Sequence, residues 1–215
     1  MSLPLTLFNL PQVIPLFPLA GALLLPRGRL PLHIFEPRYL AMIDDALRHQ
    51  RVIGMVQPAN AETPPALYPV GCLGKITSWN EADEGRYLIT LTGLVRFRIM
   101  AEVQTMTTYR QVTVNYTTFA ADLDTIADDS CVDRKRLSAS LKTFFKQREM
   151  ENFWPAVESA PGEVVINSLS MICPFEVAEK QALLEAPTLA DRAHLLTALV
   201  EMTAAAHGGP AGALQ

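Results

Sequence analysis

Residues 86–99, RYLITLTGLVRFRI, constrain the fold more than any other stretch. Tyr87, Ile89, Leu91, Val95, Phe97 and Ile99 share one parity; Thr90, Thr92, Arg96 and Arg98 share the other. Successive side chains of a strand point to opposite faces, so this period of two predicts a strand with an apolar core face. Most of the second set is expected to face solvent. Gly93 falls on the apolar parity with no side chain to bury, which predicts a bulge or a bend, as at the corner of a barrel. EADEG (81–85) supplies a turn just before the strand.

Shorter apolar runs between Pro and Gly punctuation extend the β reading through the first half. VIPLF (13–17), LLL (23–25), LPLHIF (30–35), VIGMVQP (52–58) and VGCLGKITSW (70–79) read as strands, and VQTMTTYRQVTVNY (103–116) holds two more. AETPPALYP (61–69), with three prolines, is a loop. Many short strands separated by turns favour a barrel or a sandwich. One helix interrupts them. In PRYLAMIDDALRHQ (37–50), Tyr39, Leu40, Ile43, Ala46 and Leu47 fall on one face at helical period, with Pro37 suited to the first position and Glu36 at the N-terminal dipole.

The second half changes period. The acidic FAADLDTIADDS (119–130) reads as a linker. Helices are expected over 133–147, with a stripe of Leu137, Leu141, Phe144 and Phe145, and over 161–172, 175–185 and 188–206. Thr188 and Asp191 have the spacing of a capping box, with Asp in place of Glu. HGGPAGALQ (207–215) is a frayed tail. The fold class is therefore α+β, with a β unit at 1–118 and a helical unit at 119–215.

Composition removes several functions. The chain of 215 residues is 49% hydrophobic and carries a net charge of −4. Residues 1–118 are net +2 and the remainder net −6. Nucleic-acid binders draw much of their affinity from a basic excess, which is missing. Cys72, Cys131 and Cys173 are odd in number and lack metal-ligand spacing, so neither a disulfide framework nor a zinc site is expected. Reduced thiols fit the cytoplasm. The longest apolar run, residues 14–26, is too short to span a bilayer and contains three prolines.

Catalytic motifs are equally scarce. GCLGK (71–75) fails as a phosphate loop, because Pro69 stands where Gly is needed and Ile76 where Ser or Thr is needed. GxGxxG, HExxH and GxSxG are absent. His33, His49, His194 and His207 are scattered. The cations of DRKR (133–136) read as a solvated helix face. HIFEPRY (33–39) gathers His33, Glu36 and Arg38 around a strand–helix joint, but acid–base chemistry would need a nucleophile or second carboxylate that the sequence does not supply. An ion pair of Glu36 with Arg38, pinning the helix to the sheet, is the expectation. No catalytic residue, cofactor or metal is expected.

PLFPLAGALLLPRGRLPLHIFEPRYLAMIDDAL (15–47) resembles the opening of the N-terminal, substrate-binding domain of Lon, the ATP-dependent protease. VGCLGKI with DEGRYLITLTGLVRFRI (83–99) resembles its second block, and EKQALLEAPTLADRAHLL (179–196) its helical end. The resemblance runs through about residues 12–200. It implies a PUA-like β pseudo-barrel with one inserted helix, followed by a C-terminal helical bundle, the two forming one unit. It makes His33, Glu36, Pro37, Arg38, Tyr39, Gly71, Gly93 and Arg96 signature positions with a structural role.

Lon continues into an ATPase module and a Ser–Lys protease module, and this sequence ends before either. The resemblance is thus to stand-alone bacterial proteins carrying only that domain. It implies a non-catalytic module for polypeptide segments or unfolded proteins, with Leu23, Leu24 and Leu25 as a candidate wall of an apolar groove. The alternatives are an RNA-binding PUA-like module, which would need Arg27, Arg29, Arg96, Arg98 and Arg110 on one face, and a small-molecule enzyme.

Overall fold

The computed structural model describes residues 6–82, 85–124, 134–147 and 160–208. Cys131, acidic residues 125–130, the side chains of Phe144 and Phe145, and the tail beyond 208 lie outside them. Six strands, β1 (Val13–Pro18), β2 (Arg29–Ile34), β3 (Val52–Val56), β4 (Val70–Ala82), β5 (Arg86–Val103) and β6 (Gln111–Asn115), form a mixed sheet. The neighbour order is β2-β5-β4-β3-β1-β6, and β5 also pairs with β6. That last pairing closes a ring of β5, β4, β3, β1 and β6. All pairs are antiparallel except β1 with β3.

β5 is a strand of 18 residues, about 60 Å long at the usual rise. Its second half belongs to the ring, where Arg98–Val103 pair with β6. Its first half pairs with β2 on one side, Tyr87 to Ile34 through Thr92 to Arg29, and with the outer part of β4 on the other. A register shift between Leu73 and Gly74 on β4, opposite Val95 and Gly93, marks the change from one sheet to the other. The expected bend therefore falls where Gly93 stands. A Cβ at Gly93 would run into the carbonyl oxygen of Leu25, so only glycine lets segment 23–27 cross there. Gly71 serves the ring interior similarly: a Cβ would lie 2.6 Å from the Phe97 ring.

Ile14, Leu16, Ile53, Leu73, Leu91, Val95 and Phe97 fill the core of the β unit. Leu23–Leu25 is not a strand. It crosses the sheet with its side chains buried, Leu24 against Gly74 and Pro26 bridged to Gly93. Residues 103–116 hold the end of β5, a loop and one strand, not two strands. The expected linker is, over Thr117–Leu123, a 3-10 turn that buries Phe119 and Asp122.

Helix α1 (Pro37–Arg48) buries Tyr39, Met42, Ile43 and Ala46, so its apolar face is turned from the predicted stripe, with Leu40 and Leu47 half-buried. Helices α2 (Arg134–Gln147), α3 (Gly162–Ile172), α4 (Val177–Glu185) and α5 (Leu189–Gly208) follow. Leu141 of α2, Ile166 and Leu169 of α3, Leu183 and Leu184 of α4, and Leu196 and Val200 of α5 are buried in the same cluster as the β core. The capping pair forms reciprocally: Thr188 N–H donates to Asp191 Oδ2 at 3.2 Å, and Asp191 N–H to Thr188 Oγ1 at 3.1 Å. Among the described residues, no helix is long and apolar enough to cross a membrane.

Candidate functional site: the junction of sheet and helices

Arg96 is expected at the surface, but the structure buries it at the centre of the junction. Its Nε and Nη2 donate to the two carboxylate oxygens of Asp122 at 2.9 and 2.8 Å. Its Nη1 donates to the carbonyls of Leu184 and Ala186 at 3.0 and 2.7 Å. The last carbonyls of a helix have no intrahelical donor and carry partial negative charge, so the guanidinium caps the end of α4 from the sheet side. Arg192 does the same from α5, with Nε on Leu183 O at 2.9 Å and Nη1 on Asn167 Oδ1 at 3.0 Å. Burial pushes the Arg192 guanidinium down to about 10, and Arg96 beside it adds to the fall. It remains charged at neutral pH. Gln181 on α4 reaches Val70 O at 3.1 Å, and Gln57 reaches Val177 O at 3.1 Å. Strand carbonyls and helix ends are thus satisfied by each other's side chains.

At one side of this junction a cleft of about 280 Å³ opens between α3 and the start of β2. Val164 and Ile172, 47% and 57% exposed, present apolar surface on its helix side. Asn167 forms part of the lining, its Nδ2 held on Pro26 O at 3.2 Å. Arg27 adopts a left-handed backbone, φ 63°, which turns its side chain across to α3. There its Nε donates to Glu163 Oε1 at 2.9 Å, and Nη1 to Asp122 O at 2.7 Å. Arg29, at the mouth, makes no ion pair or hydrogen bond among the described residues.

Arg29 is also the first residue of β2, an edge strand. Gly93 N–H donates to Gly28 O at 2.9 Å. Alternation from there turns the backbone groups of Leu30, Leu32 and Ile34 toward β5 and those of Arg29, Pro31 and His33 outward. Pro31 therefore removes an N–H from the free edge and none from the ladder. Cleft and edge meet at Arg29.

The signature segment is assembled differently from the expectation. Glu36 and Arg38 do pair, at 2.8 Å, but their side chains are 44% and 54% exposed. His33 is exposed and stacks edge-on against Phe35, with ring centroids 5.9 Å apart. Pro37 opens α1, and Tyr39 is buried in contact with Phe17 and with the Arg38 guanidinium. His33, Glu36 and Arg38 do not converge on a common cleft. Leu23, Leu24 and Leu25 are 1%, 1% and 0% exposed, so these core side chains form no groove wall. The five arginines form no common basic face: Arg96 is buried, and Arg110 is bound by Glu102. Among the described residues no group of three His, Cys, Asp or Glu is placed to hold a metal. The sequence spaces Val165, Leu169 and Ile172 of this helix for burial; the structure buries Val165 and Leu169 but leaves Ile172 at the surface, so the cleft was missed. Val164, an apolar residue off that stripe, was the available signal.

A ring of five strands extended by a three-stranded sheet, welded through buried arginines to a helical bundle, defines an α+β architecture with a junction cleft. The family pattern described as the ATP-dependent protease La (LON) substrate-binding domain matches residues 13–202, and the chain belongs to that family. Lon protease 2 of Myxococcus xanthus is 29% identical over 208 residues, covering 89% of this chain and 24% of that protein. Lon protease of Anaeromyxobacter dehalogenans is 28% identical over 205 residues, covering 89% and 23%. The chain thus spans about a quarter of the length of these relatives. The N-terminal domain of a Mycobacterium avium complex Lon protease superposes with a TM-score of 0.66 at 16% identity, covering 87% of this chain and 97% of that one. A Lon N-terminal domain protein from Xanthomonas campestris gives 0.60 at 21%, covering 86% and 97%. At these identities the likeness is one of fold.

Proposed function

We propose that these 215 residues bind segments of other polypeptides without cutting them, and that the α3–β2 cleft with the adjoining strand edge is where they do so. Such a module would work in the cytoplasm. The observation that carries the reading is the continuity at Arg29 between an open apolar cleft and unpaired strand backbone. An extended chain supplies what both halves lack: an apolar side chain for Val164 and Ile172, and backbone groups for the outward carbonyls and N–H groups of Arg29 and His33. The family's description as a substrate-binding domain agrees with this chemistry. Ser168 is the hydroxyl in the cleft lining, and among the described residues no base is hydrogen-bonded to it, while the Glu163 carboxylate is held by Arg27; this supports binding without hydrolysis.

The test is anisotropy of a labelled, reduced and permanently unfolded polypeptide titrated with the protein. Val164→Glu and Ile172→Glu, both at exposed positions, should weaken binding about tenfold or more while leaving the urea midpoint in place. Wild-type affinity in both variants would remove the cleft from consideration. Purified protein should also show neither ATP turnover nor casein cleavage; ATP-dependent cleavage by this chain would overturn the non-catalytic reading.

A further inference from the structure

A second cavity, of about 300 Å³, lies beside the N-terminal turn of α1, away from the α3–β2 cleft. Its walls are largely apolar, with Leu16, Pro18, Pro58 and Pro64 among them. Its charged lining is of one sign. Arg38 and Arg110 border it, and among the described residues no carboxylate does. Their partners Glu36 and Glu102 are about half exposed, outside that lining.

Tyr39 also lines this cavity, and it is only 6% exposed. Its ring packs at a tilt against Phe17, with centroids 4.3 Å apart, and the Arg38 guanidinium lies 4.5 Å from its centroid. Its hydroxyl has no hydrogen-bond partner among the described residues. Nor is it sealed from the cavity: Gln57 Oε1 is the buried, unpartnered side-chain atom of the described residues. Burial pushes the phenol above its ordinary value; Arg38 pulls it back, Glu36 adds to the rise and Arg110 opposes it. The hydroxyl therefore stays protonated and can donate. A neighbouring tyrosine shows the contrast: Tyr109 OH already donates to Asp45 Oδ2 at 2.8 Å.

A donor that opens on an apolar cavity and is flanked by two guanidiniums is placed to take an anionic acceptor in exchange for water. We propose that this cavity is a carboxylate site. The Tyr39 hydroxyl and the Arg38 guanidinium hold the two oxygens, and the proline-rich wall covers a compact apolar body. A bare inorganic anion would leave that wall unfilled, so the ligand is an organic acid. Its carboxylate comes either from a free small acid or from the end or an acidic side chain of a polypeptide. The site is independent of the α3–β2 cleft and stands whether or not that cleft binds chains.

The decisive variant is Tyr39→Phe, which keeps the stacked ring and removes a hydroxyl that bonds to nothing in the described fold. Its urea midpoint should match that of the wild type. Binding of sodium benzoate, followed by amide chemical-shift changes at residues 38–40 and 108–110, should weaken about tenfold or more in Tyr39→Phe and in Arg38→Gln. A hydrophobic peptide with a free C-terminal carboxylate, run beside its C-terminal amide, separates the sources. Binding of the acid but not the amide assigns a polypeptide end; benzoate alone assigns a free small acid. The site is overturned if neither acid shifts those amides, if Tyr39→Phe binds as the wild type does, or if inorganic phosphate competes equally with benzoate. Val164→Glu should leave benzoate binding unchanged, which separates failure here from failure at the cleft.

Discussion

Two arginine–carboxylate pairs have opposite standing in this molecule. Glu36–Arg38 sits in solvent, where such pairs contribute about 0–1 kcal/mol. Glu36→Gln should therefore move the urea-unfolding free energy by less than about 1 kcal/mol. Arg96–Asp122 is buried, and removing one member strands the other, at a cost of roughly 3–5 kcal/mol. Asp122→Asn, measured by the same titration, should show a loss in that range; a loss as small as that of Glu36→Gln would refute the junction account. The sequence pointed to the wrong pair. Glu36 and Arg38 are adjacent in the chain and draw attention, whereas Asp122 is 26 residues from Arg96 and reaches it through a 3-10 turn. Parity also misplaced Arg96, because residues 95–97 are all buried: Val95 and Phe97 face the β core, and the 3-10 turn and the end of α4 cover Arg96 on the other face. Four tyrosines act at the alkaline limit, Tyr39 among them through its burial. Burial, with Asp45 assisting, pushes Tyr109 up to about 12; Tyr87 is raised chiefly by its bond to Asp44, and Tyr116 by burial. The folded state holds these protons more tightly than the unfolded state. Their contribution is complete below about pH 10 and is lost as pH rises toward about 12. Urea midpoints should fall across that window, and Tyr109→Phe should flatten the fall.

Among the elements, β5 was the most legible. Its alternation marked Tyr87, Ile89, Leu91, Val95, Phe97 and Ile99 as core; the middle four are buried, and Tyr87 and Ile99 are half-buried against the same core. Its true length was not legible, because Met100–Val103 is stabilised by pairing with β6 and not by an apolar face. The triplet Leu23–Leu25 misled for the opposite reason: it is as apolar as a strand but packs over glycines in place of laddering. Gly93→Ala should therefore be strongly destabilising, since the obstructing atom is a backbone oxygen that cannot rotate away. Edge strand β2 carries Pro31 on its outward parity, which blunts pairing with a second copy. Pro31→Val restores an outward N–H without touching the β5 ladder. It should raise self-association, read as a concentration-dependent sedimentation coefficient; a variant as monodisperse as the wild type would show that the edge is guarded by something else.

At the scale of the whole molecule, the β ring and the helices are joined by side chains whose partners lie on the other side. Arg96 ends on α4, Gln181 on β4, and Lys180 Nζ on Gly21 O at 2.7 Å. Neither part satisfies its buried polar groups alone, so chemical unfolding should follow one transition, coincident by far-ultraviolet circular dichroism and by fluorescence of Trp79 on β4, read in a Trp154→Phe variant because the sequence has two tryptophans. Two separated transitions would mean that the junction is not cooperative. The β-then-α order and the helix boundaries were readable from period and punctuation. The junction was not, because it is made of polar residues scattered along the chain. The membership of β5 in both sheets has one more consequence. The outer three strands cannot tilt about the bend at Gly93 without shearing hydrogen bonds in the ring, and the ring is itself fastened to α4. Whatever lies along β2 is thereby set at one distance and angle from the bundle, so for the segment proposed to bind there the fold would be a jig, fixing where that segment points.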